Sequence, residues 1–352
     1  MRVPTRRRLI VTLLLATAGF ATASVAEAQR GASDRAHAAS RSVEITARPI
    51  GHFDRSRPGV SRFGPLEFRG GLVLSSSDRD FGGWSGLVVG ENGSALFSVS
   101  DAGSWLSADI RYQAGRPAGL AKARMGTLSA LSGRALEAKR EQDAEALTLL
   151  DGTLEQGTLA IGFERLHRIG RFQIVDRAPR APSRYFKLPP EARRMQRNQG
   201  LEALAVIQAG PLKGSLVAFA ERFTQGSGYH TGWVWMRGKP RQLHLRDDDG
   251  FNITDAAALP DGGLLVLERH FRWTTGVKMR IRRLAASEIR PGAKLVGRTL
   301  VEADSGFEID NMEGMALHRG GGGETVVTLI SDDNFNRLLQ RTILLQFVLH
   351  EE

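Results

Sequence analysis

The sequence predicts an all-β fold, a β-propeller with five visible blades and five or six in all, closed by strands from its two ends. Three observations lead there: a turn-rich composition, an acidic motif that recurs along the chain, and a hairpin pattern after each copy. The chain has 352 residues, 41% of them hydrophobic, enough for a large core. Its 40 glycines against 3 tyrosines and 5 tryptophans point to many turns between short strands.

The motif is clearest at Asn311–Leu317, NMEGMAL, where Glu313 interrupts an apolar run. Copies lie at Ala144–Leu149, Leu201–Val206 and Thr254–Leu259, with a weaker one at Trp84–Val89. The acidic position falls on Glu145, Glu202, Asp255 and Glu313, with Ser85 in the weak copy, at spacings of 53 to 60 residues. A second apolar run follows each copy after a glycine-rich turn and ends in Asp101, Glu164, Glu221, Glu268 or Asp332, which is the pattern of an antiparallel hairpin. Further strand-like runs, such as Thr231–Met236 and Gln242–Leu245, bring most units to four strands. A helical solenoid needs a periodicity these segments lack, and a β-sandwich does not predict one register repeated five times, acidic in four of them. Leu66–Leu74 and the segment from Val43 to Pro49 are strands without a full unit of their own. The last unit, ending at Thr342–Val348, is a strand short, so an N-terminal strand is expected to close it. A sixth blade assembled from both ends is the alternative.

Residues 1–28 read as an export signal. Arg2, Arg6, Arg7 and Arg8 precede an apolar run from Leu9 to about Ala23, and Ala26-Glu27-Ala28 offers the small-x-small cleavage pattern. Thr5-Arg6-Arg7-Arg8-Leu9-Ile10 is similar to a twin-arginine motif, with a general secretory signal as the alternative. The apolar run is too short for a confident span, so the expectation is a periplasmic or secreted protein with no stable membrane anchor. Residues 29–42 read as a flexible leader and 43–352 as the propeller domain.

No cysteine is present, which excludes disulfides, thiolate nucleophiles and cysteine zinc sites. The formal net charge of +10 falls to about +7 once the signal is removed. With no basic run interleaved with aromatics in the mature chain, nucleic acid is not an expected partner.

In a propeller the innermost strands line a central channel, so a position repeated on them forms a ring. Converging carboxylates raise one another's pKa unless a cation neutralises them, and oxygen-only donors suit Ca²⁺, with Mg²⁺ as the alternative. The candidate metal ligands are Glu145, Glu202, Asp255, Glu313, Asp332 and Asp333. The catalytic candidates are Asp101, Arg165, Arg222, Arg269 and His270: arginines to receive an anionic substrate, and a histidine at a channel mouth as general acid or base. The structural alternative is that each acid pins its blade, because Glu164-Arg165, Glu221-Arg222 and Glu268-Arg269 repeat as acid–arginine neighbours. Asp247-Asp248-Asp249-Gly250 is a further cation candidate, with an exposed acidic turn the commoner explanation. Nucleophile-elbow, HExxH, P-loop and dinucleotide motifs are absent from the sequence.

Together Phe81–Leu87, Ser100–Gly103, Asp143–Leu147, Gly200–Leu204, Asn311–Met315 and Ser331–Phe335 resemble the "esterase-like activity of phytase" family of exported bacterial proteins. The resemblance implies a propeller related to alkaline, calcium-dependent phytases, acting on a small anionic or ester substrate. The expectation is metal-assisted hydrolysis of a phosphoester or ester in the central channel. The rival is a non-catalytic ligand- or partner-binding propeller of the cell envelope, whose carboxylates are structural.

Overall fold

The computed structural model describes residues 40–196, 199–224 and 228–350. The expected export signal and most of the leader lie outside them. Five sheets, antiparallel but for one short edge pairing, follow one another along the chain, each starting with a strand at the centre and working outwards. The inner strands are Trp84–Val89, Ala144–Gly152, Leu201–Val206, Asn252–Ala258 and Asn311–Arg319, in blades 1 to 5. Each inner strand packs beside the next, and the fifth returns to the first, which closes the ring.

Blades 1 to 4 build their four strands in sequence order, with the short strand Lys294–Leu295, from within blade 4, added parallel to the outer edge of blade 3. In blade 5 only Thr325–Asp332 and Thr342–Leu349 follow the inner strand, and Leu66–Ser75 then pairs antiparallel with Thr342–Leu349, with Thr46–Ile50 outside it. The two strands that left room for a sixth blade therefore complete the fifth, and the described residues form five. At the outer edge of blade 1, Arg41–Ser42 pairs with Arg124 and Met125. Arg41 is held there by hydrogen bonds to Asp78 and Asp80.

The core is divided as a propeller requires. Five apolar clusters fill the five seams between blades; in the seam of blades 4 and 5, Leu265, Leu267 and Ile281 meet Met315, Val327 and Leu329. The small residues of the motif are explained by this packing: a Cβ on Gly314 would stand 3.1 Å from Leu87 Cβ of the next blade, and one on Gly86 2.7 Å from Leu147 Cβ. No helix among the described residues is long and apolar enough to cross a membrane.

Candidate functional site

The site is built by a fault in the ladder that recurs in every blade. Near the start of each inner strand one residue has no partner on the second strand, a β-bulge that re-aims its side chain. The bulged residues are Ser85, Glu145, Glu202, Thr254 and Glu313. On the second strand the residue just past the bulge's flanking pair is Asp101, Glu164, Glu221, Arg269 or Asp332. These ten positions gather at one end of the channel, where Glu202 feels the charges of Glu145, Glu221, Glu313 and Glu164.

Blade 4 departs from the expected register by one residue. Ile253 pairs with Glu268, so Thr254 and Arg269 occupy the positions held elsewhere by acids. Asp255 is displaced from the ring and fully buried, with Oδ2 accepting from Met315 N–H of blade 5 at 2.7 Å and Oδ1 from Ala256 N–H at 2.8 Å. Glu268, also fully buried, accepts from Arg280 Nε at 2.9 Å and Arg282 Nε at 2.8 Å. Both acids are thus engaged within and between blades 4 and 5 instead of facing the ring. Asp255→Ala is expected to leave the Met315 N–H unsatisfied and cost about 1–3 kcal/mol, whereas Asp255→Asn keeps an acceptor and costs less, as chemical unfolding can measure.

Arg269 stands in the ring as its resident cation. Its Nη1 donates to Asn311 Oδ1 at 2.6 Å, and its guanidinium lies 3.5 Å from Glu313 Oε1 and 3.7 Å from Glu221 Oε1. Glu313 most of all, then Glu221, Glu202 and Asp332, raise its pKa against the opposing effect of burial. Burial in turn raises the carboxyls of Glu145, Glu202, Glu221, Glu313 and Asp332, and their mutual repulsion adds to it for all but Glu221. Glu164 is pushed up to about 7 by burial, against a hydrogen bond from Gly200 N–H at 3.2 Å.

At the rim, Lys139 Nζ bonds Asp101 Oδ2 at 2.6 Å and Asp143 Oδ1 at 2.9 Å, and Arg165 Nε donates to Asp143 Oδ2 at 2.8 Å. Arg222 donates to Asn252 Oδ1 at 2.8 Å. Two residues beyond the bulges, Leu87, Leu147, Leu204, Ala256 and Met315 are all buried. They also line a cavity of about 490 Å³ at the channel's other end, so an apolar layer separates the ring from that cavity.

The model of the phytase-like family described as "esterase-like activity of phytase" matches residues 79–335, which span all ten ring positions. The chain belongs to this family. No curated protein matches it. Among solved structures it is similar to an endo-arabinase from Bacteroides thetaiotaomicron VPI-5482, at 10% identity and TM-score 0.49 over 78% of this chain and 96% of that one. It is also similar to the catalytic domain of a GH62 α-L-arabinofuranosidase from Coprinopsis cinerea, at 13% identity and TM-score 0.46 over 83% and 99%. At these identities and TM-scores neither likeness bears on the chemistry.

The donor set of this phytase-like ring fits a hard cation on one side only. Carboxylate oxygens of Asp143, Glu145 and Glu164 lie within 4.8 Å of one another, and so do those of Glu164, Glu202 and Glu221. Asp101 Oδ1 is buried without a hydrogen-bond partner. On the opposite side Arg269 already fills the space between Glu221 and Glu313 with positive charge.

Of the expected metal ligands, Glu145, Glu202, Glu313 and Asp332 are in the ring and Asp255 is not. Asp333 is also turned away, because its Oδ1 accepts from Gly83 N–H at 3.2 Å and Phe335 N–H at 3.1 Å, fastening blade 5 to blade 1. Of the expected catalytic residues, Asp101 and Arg269 are ring members, while Arg165 and Arg222 stand at the rim. His270 lies one residue past the ring, its imidazole 5.3 Å from the Phe251 ring and its pKa lowered by burial. The Asp247–Asp249 turn is engaged by arginines, Asp248 by Arg246 and Arg282. Sequence reasoning passed over Asp143, Thr254 and Lys139; the Asp-Ala-Glu spacing of Asp143 and Glu145 was the available signal for the first.

Proposed function

We propose that the protein is an exported hydrolase, periplasmic or secreted, that cleaves a phosphoester or carboxylic ester at the carboxylate-lined mouth of the propeller. The observation that carries this reading is the convergence of two carboxylate triads on Glu164, with Arg269 and the rim arginines beside them. Asp143, Glu145, Glu164, Glu202 and Glu221 are the residues that would hold a divalent cation, Ca²⁺ or alternatively Mg²⁺. When bound, such a cation supplies charge neutralisation and Lewis acidity.

The chain's own groups supply the rest. Arg222 and Arg165 at the rim and Arg269 within it offer guanidinium donors to an anionic substrate. In the cation-free ring Glu164, pushed up to about 7, can take or give a proton at neutral pH, whereas as a cation ligand it would be held ionised and serve to bind rather than to exchange protons. The apolar layer beneath the ring closes the far side, so substrate and water enter from one face.

The test is hydrolysis of aryl phosphates and aryl esters by purified protein across Ca²⁺, Mg²⁺, Mn²⁺ and Zn²⁺. Activity is expected with at least one cation, falling about 100-fold or more in Glu164→Gln and Glu202→Gln while both variants still melt cooperatively. The rival, a non-catalytic ligand- or partner-binding propeller, is favoured by one observation: Arg269 ties Glu221 of blade 3 to Glu313 of blade 5 as a structural cross-brace would. Loss of all hydrolysis across the panel by folded protein would decide for it.

A further inference from the structure

Nine large apolar side chains are exposed among the described residues, and all but Tyr112 and Val296 share one end of the propeller. Inner strands begin, second strands end and third strands begin at the ring end, so the loops there carry Leu166, Phe335, Leu338 and Leu339, and the connection from blade 1 to blade 2 carries Leu131. Phe271 and Trp273 belong to the same face. Leu338 is 96% exposed and Trp273 94%.

The blade 4 hairpin makes the arrangement deliberate. Second strands of the other blades stop at or before their ring position, at Ser100, Phe163, Ala220 and Asp332. In blade 4 the strand Leu264–Arg272 runs three residues beyond Arg269. That lifts its tip roughly 10 Å above the ring. At the tip Trp273 packs edge-on against Phe271 with ring centroids 5.4 Å apart, with exposed Arg272 between them in sequence.

We propose that this face docks reversibly on a lipid bilayer, with Trp273 and Phe271 at headgroup depth and the ring mouth opening towards the lipid. Single apolar side chains on loop tips from several blades suit a flat, fluid partner, whereas a protein partner needs one contiguous patch. Indole and phenyl rings beside a guanidinium match the boundary between acyl chains and headgroups. Exposed Arg140, Arg193, Arg222 and Arg272 on the same face complement anionic headgroups. Resting on the hydrolase reading, the substrate class then narrows to amphiphilic esters presented at a membrane surface, which carry both a carboxylic ester and a phosphoester.

The chain contains its own reporter. Of its five tryptophans, Trp84, Trp105, Trp233 and Trp235 are at most 5% exposed, so a change in emission on binding reports Trp273. Vesicles of phosphatidylcholine, with and without phosphatidylglycerol, are added to the whole protein, and emission and co-sedimentation are measured. A blue shift and co-sedimentation are expected, stronger with phosphatidylglycerol and weakened by salt. The double variant Phe271→Ser, Trp273→Ser is expected to bind about tenfold more weakly with an unchanged melting midpoint. The proposal is overturned by absence of binding to both vesicle types, by a double variant that binds like the parent, or by a blue shift that grows with protein concentration alone as light scattering reports a dimer. Hydrolysis of a soluble aryl phosphate separates the two ideas: activity without vesicle binding removes only the docking, and vesicle binding without activity removes only the hydrolase.

Discussion

Glu268→Ala is expected to lower the unfolding free energy by about 3–5 kcal/mol, the cost of stranding buried charge. The melting midpoint should drop by roughly 10 °C. Glu268 is completely buried and bonds both Arg280 and Arg282, and Arg282 is itself only 1% exposed. Arg282 also reaches Asp248 Oδ2 at 3.1 Å and the carbonyls of Val296 and Arg246, so it cannot swing out to water without dismantling a network. A melting curve that coincides with that of the parent would show that the network contributes nothing. The same substitution at Glu164, one of the ring acids, should destabilise the cation-free protein far less, because there burial works against the charge rather than being offset by it.

The second large effect is on pH. Glu145, Glu164, Glu202, Glu221, Glu313 and Asp332 all have folded-state pKa values above their unfolded ones, Glu164 at about 7. The folded protein therefore binds more protons than the unfolded chain, so the stability these groups contribute is fully present below their ordinary carboxylate pKa values and is lost as pH rises through the raised folded ones, about 7 in Glu164. Four buried or half-buried histidines, His167, His230, His270 and His318, oppose this, because their folded pKa values are lowered, to about 4 in His318. Their opposition fades through pH 6.5 and ends about one unit above it, where they are neutral in both states. From there upwards the slope belongs to the ring carboxyls together with Asp255, whose buried carboxyl is raised as well. With chelator present, the melting midpoint should fall by roughly 5 °C or more between about pH 6.5 and pH 8.5. Millimolar Ca²⁺ or Mg²⁺ should flatten the curve by taking the place of the protons. A curve that is flat in chelator would mean that the ring carboxyls titrate normally and that no cation is needed there.

The propeller was legible because the bulge leaves a mark in the sequence: one polar residue in an apolar run, with small residues after it to fit the seam. Closure of the last blade by Leu66–Ser75 was legible for a similar reason, a surplus strand at one end and a missing one at the other. Blade 4 was misread by a single residue. Thr254-Asp255 and Glu268-Arg269 each place an acid beside the true ring residue, and a search for acids selects the wrong neighbour of each pair. In a strand that error turns the side chain to the opposite face, so it exchanges a ring member for a seam residue. Only the pairing of Ile253 with Glu268 resolves it. The Asp332-Asp333 pair shows the same ambiguity: Asp332 enters the ring, and Asp333 is taken by backbone N–H groups of Gly83 and Phe335, a tertiary contact that spacing does not encode.

Closure of blade 5 has a consequence for the order of events during synthesis. Leu66–Ser75 leaves the ribosome early and Thr342–Leu349 near the end, yet the two pair along their length. Until they meet, Glu313 and Asp332 sit on an incomplete sheet, and the ring lacks one of its five sides. Blades 1 to 4 are assembled from strands close in sequence and can form as the chain emerges, whereas this last join spans most of the protein and carries the largest loop-closure cost. Glu313 and Asp332 are thus fixed against the acids of the earlier blades only at the final step, so their share of the repulsion arises after most of the core is already in place.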